Sequence, residues 1–99
     1  MNRKVRISRA ANADIAGIWD YTAQEYGPER ADQYVSAFDR VMAMALQFPE
    51  IGSDFSDIRK GYRKLTSGEH LIFYIAHADG IEVMRVLHSR ADVSARLGE

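Results

Sequence analysis

The chain contains no cysteine and only 2 prolines among its 99 residues. Without cysteine there can be no disulfide, no thiol nucleophile and no thiolate metal ligand, and such a composition fits a reducing compartment. No apolar run approaches the ~20 residues that a membrane-spanning helix needs. The basic segment 1–6 is not followed by the apolar stretch of a secretory signal. We therefore expect a cytoplasmic protein.

An excess of positive charge is also missing. The 13 Lys and Arg residues stand against 14 Asp and Glu residues, so the formal net charge is −1. Binding to nucleic acid without sequence preference needs a basic surface, so any such contact here would depend on a local patch. The hydrophobic share of 46% and charged share of 27% are typical of a globular domain. The length allows a single domain, residues 1–99.

The first half of the chain predicts a short strand followed by two helices. Val5 and Ile7 alternate with polar residues, and Ser8 is a suitable N-cap for the first helix. Gly27-Pro28 separates the helices, because Pro28 suits the first turn of a new helix. Phe48-Pro49 ends the second helix. So short a connection predicts an antiparallel helical hairpin.

The second half predicts strands after a polar loop over residues 49–61. Three segments have strand character, 62–66, 71–77 and 81–88, and short turns connect them. The predicted fold class is α+β: an N-terminal strand and a helical hairpin packed on an antiparallel sheet of three to four strands. Residues 91–99 are expected to form a short helix or a loose tail.

The last strand has apolar residues on both of its predicted faces, which favours a central position. Strict alternation places Ile81, Val83, Arg85 and Leu87 on one face and Glu82, Met84, Val86 and His88 on the other. Arg85 then lies on a mainly apolar face, where it either forms a salt bridge or faces a ligand anion. Arg63 lies on the first of the three predicted strands. It could converge with Arg85 on a phosphate or a carboxylate, or both arginines could be separately solvated.

The histidines are the remaining side chains that could take part in proton transfer or metal binding. His88 ends the last strand, and it could transfer protons near neutral pH or simply cap the strand. His70 and His77 lie near turns. The three histidines lack the spacing of a metal site, and no glycine-rich phosphate loop is present, so no metal or cofactor is expected.

Several segments together resemble the RelE/ParE superfamily of bacterial type II toxins, and the ParE branch in particular. The matching segments are Ala13-Asp14-Ile15-Ala16-Gly17-Ile18-Trp19-Asp20-Tyr21, Ala31-Asp32-Gln33-Tyr34, Phe48-Pro49-Glu50-Ile51-Gly52, Tyr62-Arg63-Lys64-Leu65, His70-Leu71-Ile72-Phe73-Tyr74 and Ile81 to Asp92. They cover nearly the whole chain in the order that the family has.

The resemblance implies a toxin that is held inactive by a ParD-like antitoxin and that poisons DNA gyrase without being an enzyme. Such antitoxins combine a ribbon-helix-helix half, which binds operator DNA, with a tail that wraps the toxin. The toxin would therefore be part of a hetero-oligomer, away from membranes, and would meet operator DNA only through its antitoxin. The candidate target-binding residues are Arg63, Arg85, His88, Ser89 and Arg90.

The antitoxin tail is expected on the helical hairpin, where it would bury apolar side chains. The candidates are Ile18, Trp19, Tyr34, Val35 and Phe38. These residues cannot all serve both the core and an interface. An edge strand of the sheet could also accept an antitoxin strand by backbone pairing.

A different function remains open, that of a ribosome-dependent mRNA endonuclease like the RelE branch. RNA cleavage needs cations for the phosphorane and an acid or base, and Arg63, Arg85 and His88 could supply them. The segment after the last strand lacks the aromatic residue and the lysine-dense helix of those nucleases, which favours the gyrase toxin. A third possibility is a co-repressor that acts only through its antitoxin.

Overall fold

The computed structural model of the chain describes residues 2–98. Its strands are β1 (Lys4–Ile7), β2 (Ser53–Asp54), β3 (Tyr62–Ser67), β4 (His70–His77) and β5 (Gly80–His88), and its helices are α1 (Arg9–Tyr26), α2 (Pro28–Gln47) and α3 (Val93–Leu97). No helix among these residues is long and apolar enough to cross a bilayer.

Within residues 2–98 the strands form one five-stranded sheet in the order β1-β5-β4-β3-β2. β1 runs parallel to β5, and the other neighbours are antiparallel. The predicted α+β class, N-terminal strand, helical hairpin and central last strand are confirmed. Two details are added: the two-residue strand β2 lies inside the predicted loop, and the C-terminal tail contains a five-residue helix.

Local signals set the limits of the helical hairpin. The Ser8 hydroxyl accepts a hydrogen bond from the Ala11 N–H at 3.0 Å and so caps α1. Gly27 has φ 95°, a left-handed conformation that favours glycine, and Pro28 occupies the first turn of α2. The Trp19 indole N–H donates to Asp32 across the hairpin at 2.8 Å, which links the two helices.

The sheet carries apolar clusters on both faces. The cluster under the helices contains Ala11, Phe38, Met42, Ala45, Ile72, Tyr74, Ile81, Val83 and Val86. The cluster on the opposite face contains Tyr62, Phe73, Leu87 and Leu97. Because Leu97 belongs to α3, the C-terminal helix covers the face that the hairpin leaves open.

A β-bulge in β5 breaks the predicted alternation of faces. Val83 pairs with Tyr74 and Arg85 pairs with Phe73, so Met84 is an extra residue in the ladder. Since Tyr74 and Phe73 point to opposite sides of β4, Val83 lies under the helices whereas Arg85 lies on the opposite face. The prediction that Arg85 shares a face with Val83 is therefore wrong, because a period of two cannot register an inserted residue.

The loop after α2 is held from below by β4. The Tyr74 hydroxyl donates to the Pro49 carbonyl at 2.8 Å and accepts from the Gly52 N–H at 2.9 Å. The Tyr74 side chain is fully buried. One phenolic oxygen thus satisfies two backbone groups of a segment without regular structure.

Replacing Tyr74 with Phe is expected to lower the free energy of unfolding by about 1–3 kcal/mol, because two backbone groups lose their partner in a buried position. Urea denaturation measures the loss. Tyr21→Phe is the matched control, since Tyr21 is 64% exposed, and it should leave stability unchanged. Equal stability of the two variants would contradict the assigned role.

Candidate functional site

The site begins where β1 ends. β1 pairs with β5 only as far as Val83, so within the described residues the second half of β5 has no strand on that side. Ser8 continues the pairing: its N–H donates to the Val83 carbonyl at 2.9 Å and its hydroxyl donates to the Met84 carbonyl at 2.8 Å. Asp14 of α1 then accepts the Val86 N–H at 2.9 Å. Side chains of the first helix thereby replace the missing strand.

Asp14 also binds the Arg85 guanidinium in a two-point ion pair. Arg85 Nε donates to Asp14 Oδ2 at 2.8 Å and Nη2 donates to Oδ1 at 3.0 Å. The Arg85 side chain is 17% exposed and the Asp14 side chain is 14% exposed. Arg85 Nη1 also donates to the Arg96 carbonyl in α3 at 3.2 Å. Of the two interpretations of Arg85, the salt bridge is the one that the geometry shows, and it joins α1, β5 and α3.

Arg63 does not converge with Arg85, so the geometry excludes the alternative in which the two arginines share one anion. Arg63 pairs with Tyr74 in the ladder whereas Arg85 pairs with Phe73, so their side chains leave opposite faces of the sheet. Arg63 Nη1 donates to the Gly52 carbonyl at 2.8 Å and to the Glu50 carbonyl at 3.3 Å. Its charge is thus directed at the loop after α2.

A groove of about 890 Å³ lies between the helical hairpin and the adjoining ends of β4 and β5. Its helical wall is partly apolar and includes Ile18, Tyr21 and Tyr34, and its sheet wall includes Val86 and the rings of two histidines, His70 and His88. The guanidinium-bearing residues Arg30 and Arg96 also line it. An open groove that combines apolar walls with cationic residues suits an amphipathic, acidic segment of another protein.

The histidines belong to one polar network. The Tyr34 hydroxyl lies 2.6 Å from His70 Nδ1 and accepts the Glu69 N–H at 2.9 Å. The rings of His70 and His88 are 5.2 Å apart in an edge-on arrangement. Burial holds the pKa of His70 below its ordinary value and the neighbouring His88 acts in the same direction, while Glu69 opposes both. Burial also raises the pKa of Tyr34.

The remaining target-binding candidates lie at the end of β5, which is His88, and in the turn after it, which contains Ser89 and Arg90. His88 lines the groove, and its Nδ1 accepts the Arg90 N–H at 3.0 Å. Ser89 and Arg90 are exposed in the turn beyond. The structure therefore brings these three residues together beside the groove and separates them from Arg63. Among residues 2–98 no group of three His, Asp or Glu side chains is placed to hold a metal ion.

The five antitoxin-binding candidates divide between core and surface. Phe38 is 1% exposed and belongs to the core, whereas Val35 is partly buried against the same core and does not line the groove. Ile18 and Tyr34 line the groove. Trp19 lies outside it, bonded to Asp32 across the hairpin.

Sequence reasoning missed several contributors to the groove, among them Tyr21, Tyr26 and His70. Tyr21 and Tyr26 are 64% and 68% exposed, and both line the groove. An apolar stripe on α1 that is longer than the sheet is wide is the sequence signal that could have identified these two tyrosines. His70 was assigned to a turn, and only the cross-strand pairing of His70 with His88 reveals its place.

Comparison with known proteins agrees with this architecture. The family model described as "ParE toxin of type II toxin-antitoxin system, parDE" matches residues 5–93. Toxin ParE1 of Mycobacterium tuberculosis is 40% identical over 98 residues, which cover 98% of this chain and all (100%) of that protein. Toxin ParE1 of Caulobacter vibrioides is 37% identical over 93 residues, covering 94% and 96% of the two chains.

A solved structure supports the fold alone. A chain of the chromosomal ParDE toxin–antitoxin system from P. aeruginosa superposes with a TM-score of 0.75 at 22% identity, covering 87% of this chain and 95% of that one. This match supports the observed arrangement of the N-terminal strand, the helical hairpin and the sheet. With the family match over residues 5–93, the chain belongs to the ParE toxin family of type II toxin–antitoxin systems.

Asp14→Ala is expected to lower the free energy of unfolding by about 2–4 kcal/mol, because it leaves the Arg85 guanidinium and the Val86 N–H without their acceptor. Denaturant titration of this variant, of Arg85→Met and of the double variant measures the coupling. The double variant should lose less than the sum of the single losses.

Asp79→Ala is the control, because Asp79 forms an ion pair with Arg6 in which both side chains are exposed, 54% and 44%. Solvent screens that pair, so its loss should be much smaller. Comparable losses for Asp14→Ala and Asp79→Ala would contradict the central role of Asp14.

Proposed function

We propose that this ParE-family toxin inhibits DNA gyrase in the cytoplasm and is neutralised by a ParD-like antitoxin. The observation that carries the proposal is the family match over residues 5–93 together with the groove beside the exposed end of β5. A net charge of −1 favours a protein target over bare nucleic acid. The toxin would act by binding rather than by catalysis.

The groove is the proposed seat of the antitoxin tail. Its apolar walls, with Ile18, Tyr21 and Val86, would bury one face of an amphipathic segment. Arg30 and Arg96 would attract acidic side chains on the same segment. An apolar and acidic tail therefore matches the groove in both shape and charge.

Occupation of this groove explains how neutralisation would work. His88 forms part of the groove wall, and Ser89 and Arg90 follow it directly on the exposed turn. A segment seated in the groove would cover His88 and crowd the following turn. The antitoxin and the target would then compete for one end of the sheet.

The nuclease alternative has less support in the arrangement of its candidate residues. Arg63 and Arg85 leave opposite faces of the sheet, so they cannot stabilise one phosphorane together with His88. Arg85 is moreover committed to Asp14. The experiment on gyrase distinguishes the two activities directly.

Purified toxin is expected to block supercoiling by gyrase and to accumulate cleaved DNA, and added antitoxin should relieve both effects. Arg90→Ala should weaken the inhibition by about tenfold, the loss expected for a charged contact, while antitoxin binding persists. Arg40→Ala is the matched control, because Arg40 is exposed on α2 outside the groove. Unimpaired supercoiling with cleavage of ribosome-bound mRNA would overturn the proposal.

Gly17→Leu tests the groove as the antitoxin seat. A Cβ at Gly17 meets no atom within 4 Å, so the side chain fits the isolated toxin, and leucine also favours the helix. Since Gly17 lines the groove, the new side chain should weaken antitoxin binding by at least about tenfold. Calorimetry measures the affinity.

Ala16→Leu provides the matched control for this substitution. Ala16 precedes Gly17 on α1 and is exposed, but it does not line the groove. Its replacement should leave antitoxin affinity unchanged. An equal loss, or none, for both variants would place the antitoxin elsewhere.

A further inference from the structure

The hydrogen bonds of His70 and His88 determine which nitrogen of each ring carries the proton. The Tyr34 hydroxyl accepts the Glu69 N–H and lies 2.6 Å from His70 Nδ1, while the Ser67 carbonyl, at 3.5 Å, is a second and more distant acceptor for its proton. The Arg90 N–H donates to His88 Nδ1 at 3.0 Å. The backbone N–H makes His88 Nδ1 an acceptor, and the much shorter of the two Tyr34 contacts assigns the same role to His70 Nδ1. The proton of each neutral ring is then on Nε2.

The Nε2 N–H groups remain available to a ligand. Neither Nε2 atom has a hydrogen-bond partner within residues 2–98. In that range every buried side-chain nitrogen or oxygen does have a partner, so these two Nε2 atoms are not buried. Solvent therefore reaches both N–H groups. His70 and His88 lie on the same wall of the groove with ring centres 5.2 Å apart. The two rings are therefore close enough to share one acceptor that has two oxygens.

We propose that His70 and His88 together bind one carboxylate, supplied by an Asp or Glu side chain of the antitoxin segment in the groove. The inference rests on the proposed function, in which the groove receives that segment. A carboxylate is the anionic group that a protein segment carries, and its two oxygens can accept one Nε2 N–H each. The histidine pair would thereby fix the register of the segment.

The charges around the pair allow such a ligand. Asp14 is engaged with Arg85 and the Val86 N–H, so its charge is compensated. Arg30 and Arg96 line the same groove, and Glu69 lies in the turn next to His70. Tyr34 stays neutral, because burial raises its pKa.

Binding of the carboxylate is coupled to uptake of a proton. In the isolated toxin, burial and His88 hold the pKa of His70 below its ordinary value. A carboxylate beside the rings favours the charged His70 imidazole and raises its pKa. The added proton goes to His70 Nδ1, and the Tyr34 hydroxyl then accepts from Nδ1 and donates its own proton to the Ser67 carbonyl. The complex then holds more protons than its free components, so affinity rises as pH falls, by up to about tenfold per pH unit for each proton taken up.

Calorimetric titration of the whole toxin with its antitoxin, between pH 8 and pH 6 in buffers of different ionisation enthalpy, measures proton uptake. Wild-type toxin should take up about one proton on binding near the lower end of this range. The variants His70→Gln and His88→Gln should each reduce the uptake, and the double variant should abolish it. His77→Gln is the matched control, because His77 lies at the far end of β4, outside the groove, and uptake should persist.

Binding of wild-type toxin without proton uptake, or uptake that persists in the double variant, would overturn the carboxylate site. The imidazole resonances of wild-type toxin give a second measurement that needs no substitution: the pKa of His70 should rise in the complex. The groove itself is tested separately by Gly17→Leu. If Gly17→Leu blocks binding and wild-type toxin binds without taking up a proton, only the carboxylate site fails. If Gly17→Leu has no effect on binding, the groove is not the site of the antitoxin.

Discussion

The Asp14 carboxylate is the contact on which most of the structure depends. It accepts the Arg85 guanidinium and the Val86 N–H at the point where β1 has ended, so one side chain closes the open edge of β5 and compensates a charge that is 17% exposed. Arg85 extends the linkage to α3 through the Arg96 carbonyl. Without this carboxylate the position of α1, the unpaired half of β5 and the seat of the C-terminal helix would each need another support.

The two faces of the sheet have different tasks as a result. On one face the helices cover a core that includes Phe38 and Tyr74, and the hairpin continues past the sheet to form a wall of the groove. On the other face α3 closes a smaller cluster through Leu97. Arg63 and Arg85, which the sequence suggests for chemistry, instead bind other parts of the fold. The groove is lined by aromatic rings, two imidazoles and the exposed guanidinium groups of Arg30 and Arg96. The proposed binding groove therefore lies at the end of the sheet and not on its face.

Local signals in the sequence are sufficient for the element types. Ser8, Pro28 and the apolar periodicity of α2 each act over a few residues, and the structure confirms the strand, the hairpin and the strands that follow. The position of Arg85 could not be predicted, because the β-bulge at Met84 depends on pairing with β4. The same holds for Arg63, whose partners are backbone carbonyls in an irregular loop. His70 gained importance only through its neighbours Tyr34 and His88, which are distant in sequence.

The parallel pairing of β1 with β5 joins two strands that are separated by both long helices and the other strands. During synthesis β1 is made before these elements, yet its partner β5 is made after them. The hairpin can form early, but its apolar face has to wait for β4 and β5 before it is covered. A growing chain consequently has neither a complete sheet nor a complete groove, and a truncated product lacks both. The groove is therefore complete only after β5 has been made, although the helices of its other wall are made before it.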